Sequence, residues 1–152
     1  MLLPRVAVLT TFALTSPAFA DPGAIVAALP DEAAECRYFT QLCDEARTAR
    51  GAAVEAEQKN KAAGGRQARS YAARREALVK SRGWSEEARK ADAAYDRALT
   101  AQQSAGSVSR AAHLRWVKAH NEAVEAAKVL AAKHAQVPAC LTACQDEVGR
   151  SD

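Results

Sequence analysis

Cys36-Arg37-Tyr38-Phe39-Thr40-Gln41-Leu42-Cys43 and Cys140-Leu141-Thr142-Ala143-Cys144 carry all four cysteines of the chain. On a helix, Cys36 and Cys43 stand roughly 10.5 Å apart along the axis, whereas a disulfide needs Cα atoms within about 6.8 Å. They cannot bond each other without melting that helix. Cys140 and Cys144 share a helical face one turn apart, where a mutual bond is strained. The two pairs therefore read as bonds across antiparallel helices, Cys36 with Cys144 and Cys43 with Cys140. The unequal spacings leave about 4.5 Å of axial slack, which distortion near Pro138 can absorb. Such a clasp ties the beginning of the fold to its end and calls for an even number of helical passes between them.

Whether four cysteines become disulfides depends on the compartment, and the start of the chain bears on that. Arg5 precedes an apolar run from Val6 to Leu14, and Ala18-Phe19-Ala20 supplies a small-x-small cleavage motif. Residues 1–20 are predicted to be a signal peptide cleaved after Ala20. The run is short of the roughly 20 apolar residues that a bilayer span needs, and no cysteine follows the site closely enough for a lipoprotein anchor. The protein is expected to be periplasmic or secreted, with no transmembrane segment in the mature chain. An even number of cysteines in an oxidising compartment is a disulfide framework. No Cys-x-x-Cys-His haem attachment site and no paired Cys-x-x-Cys zinc spacing is present.

From Asp21 onward thirty-four residues are Ala, while Leu, Ile, Val and Phe together number eighteen. Ala is the best helix former, but it buries little area, so long helices around a thin core are expected, with crosslinks contributing much of the stability. Residues 21–30, with two prolines and a glycine, read as a flexible leader before a single helical domain over 31–148. Asp31 is a good N-cap, followed by Glu32 and Glu35. Phe39, Leu42, Ala46, Ala49, Ala53 and Ala56 then recur at steps of three and four, a coiled-coil-like seam. Gly64-Gly65 is expected to stop this helix. Tyr71 and Leu78 lie on a second helix, and Gly83 with Ser85-Glu86-Glu87 reads as a stop and restart. Trp84, Ala88, Ala91, Tyr95 and Ala98 face one way on the third helix. Gly106-Ser107 repeats the stop, and the last long helix carries Leu114, Val117, Val124, Ala127 and Ala131 before Val137-Pro138 breaks it. The fold is thus predicted to be all-α, either an elongated antiparallel hairpin turning at Gly83 or a compact four-helix bundle, its ends clasped by two disulfides.

Charge is uneven. Asp21–Glu57 holds eight acidic and three basic residues, and Lys59–Arg82 holds eight basic residues against Glu76 alone. Within the basic stretch, Arg66, Arg69, Arg74, Arg75, Lys80 and Arg82, with Trp84 beside them, are the candidate contact residues for an acidic protein or an anionic envelope surface. Nucleic acid is not an expected partner of an exported protein, and a homo-oligomer is a further option. A solvated face whose charge pairs with the acidic first helix is the plainer reading of the same stretch. His113, His120 and His134 are separated by multiples of seven, which suggests a metal- or pH-responsive stripe. Neighbours on it would be at least about 10.5 Å apart, too far for two to bind one ion, so no metal or other cofactor is assigned.

No Gly-x-Ser-x-Gly elbow, phosphate-cradling loop or His-Glu-x-x-His pair occurs, so no catalytic residues are assigned and an enzyme is not expected. Lys90-Ala91-Asp92-Ala93-Ala94-Tyr95 resembles the Ala-Asp…Tyr helix of small exported lysozyme-inhibitor-type domains over that short run. The cysteine spacing departs from theirs. The resemblance implies an alternative function as a small inhibitor or binding protein for an envelope enzyme or cell-wall polymer. The leading expectation is an exported, non-enzymatic helical protein that acts through its surface, as an interaction module or spacer.

Overall fold

The computed structural model describes residues 21–149. The expected signal peptide, residues 1–20, lies outside the described residues. The first ordered element corrects the expectation of a flexible leader. Helix α1, Pro22–Ala28, begins with Asp21 as its cap, whose Oδ1 accepts from the Gly23 amide at 3.1 Å. Pro22 sits in the first turn, where its missing N–H costs nothing. A Cβ built on Gly23 would stand 3.0 Å from Val129 Cγ2, so glycine lets α1 lie close on the third helix, where Val26 is fully buried.

Asp31 starts the main hairpin, its Oδ1 accepting from the Ala34 amide at 2.8 Å. Helix α2, Glu32–Lys80, then runs for 49 residues, roughly 73 Å. Ser85 caps helix α3, Glu86–Lys133, through the Ala88 amide at 3.1 Å, and α3 returns along α2 for 48 residues. Gly64-Gly65 and Gly106 interrupt neither helix, which rules out the four-helix alternative. A glycine costs a helix interior about 1 kcal/mol relative to Ala, and that does not outweigh a seam continuous on both sides of it. The stop at residues 81–85 is built differently. The Gly83 amide donates to the Leu78 carbonyl at 3.3 Å and the Arg82 amide to Val79 at 3.4 Å, the paired bonds of a Schellman cap. Arg82, with φ of 48°, occupies the left-handed position where glycine is usual, and Gly83 follows at φ 144°.

The hairpin seam is a regular alternation of threes and fours. On α2 it passes through Phe39, Leu42, Ala46, Ala49, Ala53, Ala56, Asn60, Ala63, Gln67, Ser70 and Arg74. On α3 it passes through Ala88, Ala91, Tyr95, Ala98, Gln102, Ala105, Ser109, Ala112, Trp116, Ala119, Ala123, Ala126 and Leu130. The expected seam from Phe39 to Ala56 is present, as are Ala88, Ala91, Tyr95 and Ala98. Leu114, expected to face the core, is 68% exposed, and Trp84 is 58% exposed at the turn. The α3 register through this region follows Ala112, Trp116 and Ala119 instead.

After Lys133 the chain leaves the helix at His134, and two short helices follow, α4 at Ala139–Ala143 and α5 at Gln145–Val148. The break at Val137-Pro138 is as expected, but the direction afterwards is not. Cys36 bonds Cys140 and Cys43 bonds Cys144, a correction of the expected Cys36–Cys144 and Cys43–Cys140. Residues 134–138 turn the chain back, so α4 and α5 run parallel to α2. The fold makes three passes rather than an even number, and the earlier cysteine of each pair meets the earlier of the other. Around this junction sits the main core, with Phe39, Leu42, Ala46, Ala123, Ala126, Leu130 and Leu141 packed together under α1 and α4. The molecule therefore has a disulfide-clasped head and a bare two-helix stalk, in which Ala56, Ala63 and Ala88 are the buried apolar residues among those described.

Candidate functional site

The heptad repeat gives the stalk two distinct flanks. On one, α2 contributes a stripe at intervals of seven: Cys36, Cys43, Arg50, Glu57, Gly64, Tyr71 and Leu78. Its first three members hold the C-terminal helices, through both disulfides and through the buried Glu147 carboxylate, 3.2 Å from Arg50 Nη2 and 3.6 Å from Arg47 Nε. Where α5 ends, an open groove of about 690 Å³ begins, lined by Ala53, Val54, Glu57, His113, Leu114 and Trp116 among others. Val54 is 50% exposed there.

The opposite flank is cationic. A shallow groove of about 520 Å³ has Ala52, Ala56, Ala105 and Val108 in its lining, with Lys59 and Arg115 among its polar lining residues. Arg66 lies one heptad beyond Lys59 on the same side, Arg69 adjoins it, and α3 adds Arg97 beside Ala101 and Ser104. Lys59 is held by Glu55 at 2.6 Å, and that hydrogen bond, with the ammonium charge, lowers the Glu55 carboxyl below its ordinary range. Among the described residues Arg66, Arg69, Arg97 and Arg115 make no ion pair, although Glu55, Asp96 and, toward the head, Asp44 and Glu45 line the same side. Sequence reasoning did not find Arg97 and Arg115. Their signal was present in the heptad register, but reading it requires pairing the α3 positions with those of α2.

The candidate contact residues of the basic stretch thus divide among different surroundings. Arg66 and Arg69 lie on the cationic flank. Lys80 pairs with Glu76 at 2.6 Å, which raises the lysine and lowers the glutamate. Arg75 lies on the outer face of α2 beside Tyr71 and Val79, and Arg82 at the turn beside the exposed Trp84. Arg74 differs from these. It points into the seam, with its Nε 2.6 Å from Asp92 Oδ1 and its guanidinium 5.2 Å from the Tyr95 ring centre. Tyr71 packs on Tyr95 at 5.7 Å between ring centres and Gln67 Nε2 lies 3.5 Å from the Tyr95 hydroxyl, so these groups fix the hairpin register.

The three histidines do not form one stripe. His113 and His120 flank Trp116, their ring centres 5.3 and 6.1 Å from its own. His134, beyond the end of α3, bonds Glu35 through Nε2 at 2.6 Å. Glu35 is buried and also paired with Lys133. The hydrogen bond from Lys133, then that from His134, lowers its carboxyl against the opposing cost of burial. Lys133 Nζ further donates to the carbonyls of Val26, Ala27 and Leu29 at 3.0, 3.3 and 3.4 Å, closing the C-terminal end of α1. This cluster anchors α1 and the start of α2 to the end of α3. Among the described residues no group of three His, Cys, Asp or Glu side chains is arranged to hold a metal ion, and no helix is long and apolar enough to cross a membrane. The two disulfides fit an oxidising, extracytoplasmic setting. No protein-family profile, curated protein or solved structure matches the chain.

Proposed function

We propose that this is an exported, non-enzymatic envelope protein, released by cleavage after Ala20, that acts as an interaction module and spacer through the cationic flank of its stalk. The observation that carries the reading is the convergence of α2 and α3 on one flank, where Lys59, Arg115 and Arg97 line shallow grooves floored by small side chains, and where the helical register continues the α2 row to Arg66 and Arg69. Arginine presents a planar fork suited to carboxylate and phosphate. A row of such groups over a shallow floor matches an extended anionic partner better than a small ligand, which would need an enclosing pocket. The head supplies the rigid base and the stalk holds the flank clear of it.

The test is retention of the oxidised mature protein on phosphatidylglycerol vesicles and on an acidic polysaccharide across a salt series. Binding should weaken steeply as salt rises. Replacing Arg66, Arg69 and Arg97 together by Gln should lower affinity at least tenfold at low salt, while leaving helix content unchanged. Equal retention of this variant and the wild type would refute the reading. Arg74→Gln serves as the control for seam damage, since that guanidinium is committed to Asp92.

A further inference from the structure

We infer that the turn of the hairpin is a lipid-docking tip, which enters the headgroup layer of an anionic bilayer end-on. Three observations at residues 75–90 carry it. The first is a strained cation. Arg82 is held at φ of 48°, the left-handed position that glycine fills at least cost. A residue kept in such a conformation points to a use for its side chain, and Arg82 is exposed. The turn that holds it is fixed locally. Ser81 Oγ lies 2.6 Å from the Ala77 carbonyl oxygen and 2.7 Å from that of Gly83, and the Ser85 amide donates to the Gly83 carbonyl at 3.1 Å.

The second observation is Trp84. It immediately precedes the N-cap Ser85, a position from which an apolar side chain ordinarily packs on the fourth residue of the helix. That residue here is Arg89. Trp84 is therefore left 58% exposed, with no ring contact among the described residues, and Val79 next to the turn is 72% exposed. The third observation is charge. Lys80 holds Glu76 and Lys90 holds Glu86, at 2.6 and 2.7 Å. Arg75, Arg82 and Arg89 make no ion pair among the described residues, and Glu87 is the unpaired carboxylate against them. The tip keeps a net charge of +2, with five basic and three acidic residues over 75–90.

These groups are ordered by depth. By helical rise, Val79 lies about 3 Å below Ser81, Arg89 about 6 Å below Ser85 and Arg75 about 9 Å below Ser81. An interfacial segment buries its apolar side roughly 5–10 Å into the boundary between headgroups and chains. Trp84 and Val79 reach that boundary, where an amphipathic indole is favoured, while the guanidinium groups meet lipid phosphates. The end of two helices, each about 10 Å across, offers on the order of 200 Å². That is far below the roughly 800 Å² per partner of a specific protein interface, and a lipid surface needs no such area or shape match. The inference does not rest on the cationic flank, which lies along the stalk.

The test uses the oxidised mature protein with Trp116→Phe, so that Trp84 is its sole tryptophan. The probe is vesicles of equal parts phosphatidylglycerol and phosphatidylcholine, the latter brominated on its chains. At saturating lipid the Trp84 emission should shift to shorter wavelength and fall by at least half. In Trp84→Phe, where Trp116 alone reports, neither change should occur, and the difference between wild type and Trp84→Phe gives the same reading with Trp116 in place. Arg82→Gly should weaken vesicle affinity about fivefold while raising the melting point, a split that a merely structural role for Arg82 would not give. The inference is overturned if Trp84 is unquenched at saturating lipid, if Trp116 is quenched equally, or if Arg82→Gly binds as tightly as its parent. The Arg66, Arg69 and Arg97 variant separates the two readings, and full Trp84 quenching at saturating lipid is expected in it. If its retention also equals that of the wild type, the flank is refuted and the tip stands; loss of quenching would place the lipid contact on the flank and overturn the tip.

Discussion

Removing the two disulfides one at a time and then together should give costs that do not add. Either bond alone closes a loop of about a hundred residues, the sequence separations being 104 and 101. Chain entropy values the first such closure at about 4.7 kcal/mol. With one bond in place, the other closes only the ring made by the segments 36–43 and 140–144, about a dozen residues, which is worth roughly 3 kcal/mol on the same scale. Cys43→Ala with Cys144→Ala should therefore cost about 3 kcal/mol, and Cys36→Ala with Cys140→Ala about the same, whereas the four-alanine variant should lose 7–8 kcal/mol. A chain of this size has about 6–20 kcal/mol in total, so the fully reduced head sits near its unfolding threshold. Urea titration followed by circular dichroism measures all three. Costs for the two pairs that sum to the whole, or a reduced protein with an unchanged midpoint, would refute the reasoning. The pairing itself is checked by peptide mapping. Tryptic cleavage after Arg37 separates Cys36 from Cys43, and chymotryptic cleavage after Leu141 separates Cys140 from Cys144. Recovery of Cys36 linked to Cys144 would overturn the reversal of the chain after His134.

Arg82→Gly should raise stability by about 1 kcal/mol, seen as a melting point some 2–5 °C higher, because it relieves a left-handed residue at the Schellman position; a lower melting point would contradict that cap geometry. The Glu35 carboxyl is lowered in the folded state from its ordinary 4.5. It therefore contributes stability that is fully present above pH 4.5 and is lost as pH falls through its folded value. Glu35→Gln should flatten the decline of the urea midpoint below pH 4.5, and an unchanged acid limb would exclude this carboxyl as its source.

Much of the hairpin could be read from local chemistry. Asp31 and Ser85 are N-caps with glutamates behind them, Gly83 lies in the turn, and the steps of three and four from Phe39 to Ala56 mark the seam. What could not be read depended on relations between distant segments. Cysteine pairing was decided by the direction of the chain after Pro138, and residues 134–138 carry no periodicity that states it. The prolines and glycine of residues 21–30 suggested an arm, although Asp21-Pro22 is helix-start chemistry and Gly23 is a packing residue. Gly64-Gly65 looked like a stop because helix propensity was weighed without the opposing helix. The cationic flank needed α2 and α3 to be aligned before Arg97 and Arg115 could be seen beside Lys59 and Arg66.

The contrast between head and stalk gives these features a common cause. In the head, α1 and α4 cover the hairpin from two sides, and its seam includes Phe39, Leu42 and Leu130. Along the stalk nothing described covers the hairpin, and the seam thins to Ala with Asn60, Gln67, Ser70 and Arg74 among it. The Asn60 Oδ1 is buried there without a hydrogen-bond partner. A two-helix layer with small seam residues has little apolar area to bury by itself, since stable domains need packed layers around a core. The ion pair of Arg74 with Asp92 and the stacking of Tyr71 on Tyr95 fix its register, but they do not supply the missing layer. The two flanks of this thin layer differ, one carrying cations over an alanine floor, the other an open groove that begins where α5 ends.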